Sequence, residues 1–93
     1  MYVYYQHEGM PFWIKVKLEN VIKTIQRAEA KKKQWWKLVV PGYYSYLCIE
    51  KDNEYYVSAT DVNPLVNKPD TEKIIRKFSN LNEVIQYLSE IAL

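Results

Sequence analysis

The sequence predicts an α+β fold: an antiparallel sheet of five or six strands in the order ββαβββ(β)α, with two amphipathic helices packed on it. Short runs of aromatic and β-branched residues, separated by turn residues, predict the strands. Two other segments place apolar residues at helical spacing and predict the helices. A chain of 93 residues holds one hydrophobic core but not two, so we expect a single domain over residues 1–93.

The first two strands are predicted from residue type and alternation. Residues 2–6 are rich in the aromatic and β-branched types that favour strands. Within residues 12–18, apolar side chains alternate with Trp13, Lys15 and Lys17, as in a strand that is buried on one face only. We expect these two strands to form a hairpin.

Two segments have the pattern of an amphipathic helix. From about residue 20 to residue 34, apolar residues fall within one narrow arc and basic residues line the opposite side. Near the end of the chain, Asn80 followed by Glu83 resembles a capping box, and the apolar residues after it again cover one face. We expect both helices to pack on the sheet through these apolar faces.

The middle of the chain predicts a three-stranded meander over residues 35–40, 43–51 and 54–60. Pro41 and Gly42 suit the two central positions of a type II turn, because proline fixes the first φ and glycine accepts the positive second φ. Asp52 and Asn53 tolerate a left-handed backbone in a similar way. A loop is expected over residues 61–70, and a further strand over residues 72–78.

The residues that usually carry chemistry are scarce. His7 and Cys48 are the sole histidine and cysteine, whereas a zinc site needs three or four such ligands. Both glycines stand apart, so no phosphate-binding loop is predicted. A nucleophile–base pair of Cys48 and His7 is the one catalytic candidate, but a lone buried thiol is usually a small core residue. We therefore expect no enzyme, no metal and no small-molecule cofactor.

Cysteine usage and hydropathy indicate where the protein resides. A single cysteine excludes an intramolecular disulfide and favours a reducing compartment. The first residues lack the pattern of a signal peptide, and the longest uncharged run, residues 38–49, is too short to cross a membrane and is interrupted by Pro41. We expect a cytoplasmic protein without membrane insertion. An excess of Lys, Ile, Asn and Tyr is compatible with an AT-rich phage or mobile-element genome.

Charge is unevenly distributed although the net charge is only +2. Residues 13–37 carry eight cations against two carboxylates, whereas residues 50–72 carry six carboxylates against two lysines. Within the basic part, residues 31–37 read KKKQWWK. One interpretation is that this segment binds phosphates or an anionic membrane surface. The other is that it forms the solvated end of a helix, where cations complement the helix dipole.

A candidate binding face follows from the predicted meander. If two-residue turns join its strands, cross-strand neighbours share a face. The expected core face contains Trp36, Leu38, Val40, Tyr43, Leu47, Ile49 and Tyr56, and the opposite face contains Cys48, Glu50 and Val57 besides aromatic and basic residues. The predicted binding residues on that opposite face and on the second strand are Trp13, Lys15, Lys17, Trp35, Lys37, Tyr44, Tyr46 and Tyr55.

Three interpretations of this face stay open at the level of sequence. Trp and Tyr anchors with a polar rim suit the binding of another protein or of a second copy of the chain as a homodimer, and the function we expect is that of a small non-enzymatic binding protein of the regulator or inhibitor type. The same face, with residues 31–37, suits weakly sequence-specific binding of nucleic acid, because aromatic rings stack on bases and lysines neutralise phosphates. Alternatively, the two helices lie on opposite faces of the sheet and bury these aromatic residues as core.

Overall fold

The computed structural model describes residues 1–43, 45–60, 63 and 74–92, and it confirms the predicted fold class. The elements are β1 (Tyr2–His7), β2 (Ile14–Lys17), α1 (Leu18–Ala30), β3 (Trp35–Pro41), β4 (Tyr46–Asp52), β5 (Glu54–Thr60), β6 (Ile74–Phe78) and α2 (Leu81–Ala92). The strands form an antiparallel sheet in the order β2-β1-β3-β4-β5-β6. The edges of this sheet are therefore β2 and β6.

Strand β1 is central because it pairs on both sides. Val3 lies opposite Val16 of β2, and Tyr5 lies opposite Leu38 of β3. Helix α1 carries the chain from β2 at the edge back to β3 on the far side of β1. The predicted hairpin of β1 and β2 is thus confirmed, and the helix makes the crossover between them and the meander.

Both helices pack on the same face of the sheet. One cluster of buried side chains joins α1, α2 and alternate residues of the strands. Its members are Val3, Tyr5, Leu18, Val21, Ile25, Ala28, Trp36, Leu38, Val40, Leu47, Ile49, Val57, Phe78, Val84 and Leu88. The interpretation that places the helices on opposite faces is therefore wrong, and we call the other side of the sheet the helix-free face.

The boundary between β2 and α1 differs from the prediction. Leu18, expected as the last residue of a strand, is the first residue of α1 and is buried, while its N–H still donates to the carbonyl of Met1 at 3.0 Å. Phe12, expected at the start of the strand, lies outside it and is 61% exposed. The alternation over residues 12–18 therefore overstated the strand, because its last apolar position serves the helix core.

Helix α1 also ends before the predicted residue 34. Lys32 has a φ of 56°, in the left-handed region, and its N–H donates to the carbonyl of Glu29 at 2.9 Å. The Lys33 N–H donates to the carbonyl of Ala28 at 3.1 Å. These bonds close the helix end, so residues 31–33 form a turn rather than a last helical turn.

The predicted cap of α2 is confirmed. Asn80 accepts a hydrogen bond from the Glu83 backbone N–H through its side-chain oxygen at 3.0 Å. The Glu83 carboxylate in turn accepts from the backbone N–H of Ser79 at 2.8 Å. The reciprocal bonding is that of a capping box, displaced by one residue on the side of the glutamate.

The turn between β4 and β5 is one residue shorter than predicted, and this reverses part of the face assignment. Asp52 pairs with Glu54, leaving only Asn53, with a φ of 69°, between them. A shift of one residue moves every side chain of a strand to the other face. Tyr55 and Val57 therefore lie on the helix side and Tyr56 on the helix-free face, opposite to the prediction.

The connection between β3 and β4 preserves the predicted faces. Pro41 pairs with Tyr46, so the sequence has four residues between the two paired positions instead of the two that a two-residue turn would leave. Gly42 has a φ of 83°, as predicted for that position, and its N–H donates to the carbonyl of Ser45 at 3.0 Å. Because the loop is longer by an even number of residues, Leu47 and Ile49 remain on the core face. The two described helices, α1 with 13 residues and α2 with 12, are both too short to span a bilayer.

Candidate functional site

The helix-free face is defined by the residues of each strand that alternate with the core residues. The described ones on the strands are Tyr2, Tyr4, Gln6, Lys15, Lys17, Trp35, Lys37, Val39, Pro41, Tyr46, Cys48, Glu50, Asp52, Glu54, Tyr56, Ser58, Ile74 and Lys77. Six of the eight predicted binding residues lie on this face or beside it: Trp13, Lys15, Lys17, Trp35, Lys37 and Tyr46. Tyr55 lies on the other side of the sheet, and Tyr44 is outside the described residues.

Tyr55 belongs to the packing of α1 on the sheet. Its ring centroid lies 6.4 Å from that of Trp36, and its hydroxyl donates to Glu29 of α1 at 3.4 Å. Burial, followed by the negative charge of Glu29, raises the pKa of the Tyr55 hydroxyl. Tyr55 is therefore a helix-side residue and does not belong to the predicted binding face.

Aromatic and basic residues meet at the β1–β2 end of the helix-free face. Hairpin pairing places Tyr2 opposite Lys17 and Tyr4 opposite Lys15. The Lys15 ammonium lies 5.0 Å from the centroid of the Tyr2 ring, a cation–π distance. Tyr2 is 50% exposed and both lysines are exposed. The sequence prediction missed Tyr2 and Tyr4, although the alternation of the first strand and its hairpin register carry the signal.

Two tryptophans line a depression next to these residues. The depression has a volume of about 240 Å³ and is lined by Trp13, Gln6, Trp35, Lys37 and Asp52. Trp13 lies just before β2, and Trp35 is the first residue of β3. Both indole side chains are half-buried, so each presents part of its ring to solvent. We call Tyr2, Tyr4, Trp13, Lys15, Lys17 and Trp35 together the β1–β2 patch.

The middle of the helix-free face contains a buried polar cluster. Glu50 is only 4% exposed. Its carboxylate accepts hydrogen bonds from the Tyr56 hydroxyl and, at 3.5 Å, from the Cys48 thiol. It also forms an ion pair with the Lys37 ammonium at 3.1 Å. Burial raises the pKa of both the Cys48 thiol and the Tyr56 hydroxyl, and the Glu50 carboxylate raises each further. The polar groups of this cluster therefore bond to one another. The charge of Lys37 is balanced by the Glu50 carboxylate, and the raised pKa keeps the Cys48 thiol protonated.

The centre of the helix-free face is fully buried and is not accessible to a partner. Val39, Cys48 and Ser58, on neighbouring strands, are each 0% exposed. Among the aromatic and basic side chains of the helix-free face, the exposed ones are Tyr2, Lys15 and Lys17 on β1 and β2, together with Lys77 on β6, which pairs with Glu54. The candidate binding site on this face is therefore the β1–β2 patch. The sequence had instead placed most of the predicted binding residues on the meander.

The candidate nucleophile and base point away from each other. His7 shares the helix side with Tyr5, since their ring centroids are 5.8 Å apart, and its Nδ1 lies 2.8 Å from the Glu8 carbonyl oxygen. Cys48 lies on the helix-free face, so the sheet separates the two side chains. They cannot act as a pair. Among the described residues, no group of three or more His, Cys, Asp or Glu side chains is arranged to hold a metal ion.

The segment of residues 31–37 is divided between the two sides of the sheet. Trp36 is 0% exposed and its indole N–H donates to Glu29 at 2.8 Å. The Lys33 carbonyl accepts from the Lys51 ammonium at 2.7 Å, again on the helix side. Lys37 points the other way, to Glu50. The basic and tryptophan residues of this segment therefore do not form one continuous surface.

Comparison of the chain with protein-family models, with curated proteins and with solved structures found no match.

Proposed function

We propose that this chain is a small non-enzymatic binding protein whose partner is another protein, engaged through the β1–β2 patch. The observation that carries this proposal is the grouping of four aromatic side chains with two exposed lysines on the face that neither helix covers. Aromatic anchors surrounded by a polar rim are the usual energetic centre of a protein interface. The patch also borders the edge strand β2.

Two large apolar residues next to this patch in the sequence are exposed. Met1, which precedes Tyr2, is 71% exposed and lines one depression with Tyr2 and Lys17. Phe12, which precedes Trp13, is 61% exposed. Large apolar side chains that stay in contact with solvent cost solvation free energy, and their burial against a partner recovers about 25 cal/mol per Å² of apolar surface. A protein surface with apolar contacts of its own is the partner that gains most from this arrangement.

The distribution of positive charge favours a protein over nucleic acid as the partner. Phosphate binding needs several cations on one surface. Here Lys37 is already paired with Glu50, and the exposed Lys23 and Arg27 lie on α1, which packs on the other side of the sheet. The β1–β2 patch itself retains Lys15 and Lys17, which serve as the polar rim of a protein interface.

The test compares two charge reversals of equal size. Lys15→Glu with Lys17→Glu changes the patch, and Lys23→Glu with Arg27→Glu makes the same change of charge on α1. We expect a partner retained from extracts of the source cells by the wild-type protein and by the α1 variant, and at least tenfold less retention by the patch variant. Circular dichroism checks that both variants fold.

Two results would contradict the proposal. In the first, both charge reversals reduce retention equally, so the patch is not where the partner binds. In the second, the retained material is nucleic acid, with affinity that falls steeply as salt rises, which is the behaviour of phosphate contacts. Sedimentation equilibrium of the wild-type protein alone shows whether the partner is a second copy of the chain.

A further inference from the structure

The ladder between β5 and β6 contains a β-bulge at the sheet edge. Val57 lies opposite Arg76, but the next residue of β5, Ser58, lies opposite Ile74. Ile75 is therefore the extra residue of β6, and it is 52% exposed. Bulges at sheet edges redirect side chains and recur beside functional sites.

The bulge brings two consecutive side chains to one depression. In a regular strand, neighbouring residues point to opposite faces, yet Ile75 and Arg76 both line the same space of about 470 Å³. The other described residues that line it are Tyr43, Ala59 and Tyr87. It lies where α2 passes β6, away from the β1–β2 patch. We call it the bulge pocket.

Arg76 in the bulge pocket is flanked by two aromatic rings. Its guanidinium carbon lies 5.1 Å from the ring centroid of Phe78 and 5.1 Å from that of Tyr87. These two rings pack on each other at 5.4 Å. Among the ion pairs of the described residues, none includes Arg76. A stacked guanidinium keeps its N–H edge free to donate two parallel hydrogen bonds.

We propose that the bulge pocket binds a carboxylate carried on an apolar stem. The planar N–H edge of Arg76 matches the two oxygens of a carboxylate. Arg76 is the sole cation among the described lining residues, which suits a single negative charge better than a doubly charged phosphate. Ile75, Ala59 and the aromatic rings supply the apolar surface for the stem.

The test uses hexanoate as the probe, with acetate for the charge alone and hexanol for the stem alone. Binding is followed by NMR through the methyl signals of Ile75 and the Nε–H signal of Arg76. We expect hexanoate to move both signals with saturation, and to bind more tightly than either acetate or hexanol. Equal binding of hexanol and hexanoate would overturn the proposal, since Arg76 would then contribute nothing.

The chain offers a matched control because Arg27 and Arg76 are its two arginines. Arg76→Gln should weaken hexanoate binding at least tenfold, since it removes a charge-assisted hydrogen-bond donor. Arg27→Gln removes the same charge from exposed α1 and should leave the affinity unchanged. Equal weakening by both variants would show a general charge effect and would overturn the proposal.

A second variant separates the stem from the charge. Ile75→Ser should weaken the binding of hexanoate and leave that of acetate unchanged, and an equal loss of both would contradict the assigned role of Ile75. N-acetylleucine distinguishes the source of the carboxylate. Tighter binding of N-acetylleucine than of hexanoate identifies a peptide carboxyl terminus, and tighter binding of hexanoate identifies a free carboxylic acid; loss of either on Arg76→Gln supports the pocket.

Discussion

Glu50 shows how single residues determine the character of the helix-free face. Glu50 is only 4% exposed, and its carboxylate is surrounded by donors: the Tyr56 hydroxyl, the Cys48 thiol and the Lys37 ammonium. A buried charge without such partners would be strongly unfavourable. The sequence placed Lys37, Cys48 and Glu50 on one face correctly, but it placed Tyr56 on the other. Tyr56 was assigned to the wrong face because the turn between β4 and β5 is one residue shorter than predicted.

The role of Glu50 predicts an asymmetry between two glutamate substitutions. Glu50→Gln removes the charge that pairs with the 30% exposed Lys37 ammonium, and should lower the free energy of unfolding by about 1–3 kcal/mol. Glu54→Gln makes the same change in the exposed pair of Glu54 with Lys77, 3.3 Å apart, and should change it by less than about 0.5 kcal/mol. Urea unfolding measures both. Equal effects would mean that the Glu50 cluster contributes no more than a surface ion pair.

Among the elements, α2 was predictable because its beginning is encoded locally. Asn80 and Glu83 lie three residues apart, and the cap they form needs only the first turn of the helix and Ser79. The start of α1 was not predictable in this way. It has no side-chain cap, and Leu18 extends both the alternation of β2 and the apolar arc of α1. Tertiary packing decides which pattern Leu18 follows.

The cap of α2 predicts a stability difference between two asparagines. Asn80→Ala removes the acceptor for the Glu83 N–H and should lower the free energy of unfolding by about 1 kcal/mol. Asn82→Ala changes the same residue type at an exposed position within α2 and should be neutral or stabilising by up to about 0.5 kcal/mol, because alanine has the higher helix propensity. Thermal or urea unfolding compares them. A loss at Asn82 as large as at Asn80 would contradict the cap.

Strand faces were predicted correctly where the error in turn length was an even number of residues, and wrongly where it was odd. The faces of β3 and β4 follow from alternation, and the longer connection after Pro41 preserves them because it adds an even number of residues. The single residue Asn53 between β4 and β5 reverses the faces of β5. Asp52-Asn53 is compatible with turns of either length, so residue types alone do not fix the register.

At the scale of the whole molecule, the arrangement of the helices determines where a partner can bind. An amphipathic helix specifies that it packs on a sheet, but it does not specify which face. In β3 this ambiguity is plain, since Leu38, Val39 and Val40 are all buried and both faces read as apolar. With α1 and α2 on one side, the aromatic residues at the β1–β2 end are covered by neither helix. The sequence predicted Trp13, Lys15, Lys17 and Trp35 as binding residues, but it could not show that both helices pack on the other face of the sheet.

The most direct test of this account is site-specific photo-cross-linking in the source cells. A photoreactive phenylalanine derivative replaces either Tyr2, in the β1–β2 patch, or Gln26, which is exposed on α1. We expect a discrete protein adduct from position 2, none from position 26, and loss of the adduct when Lys15→Glu and Lys17→Glu are added. The proposed function would be contradicted by equal adducts from both positions, by no protein adduct from position 2, or by an adduct that nuclease removes.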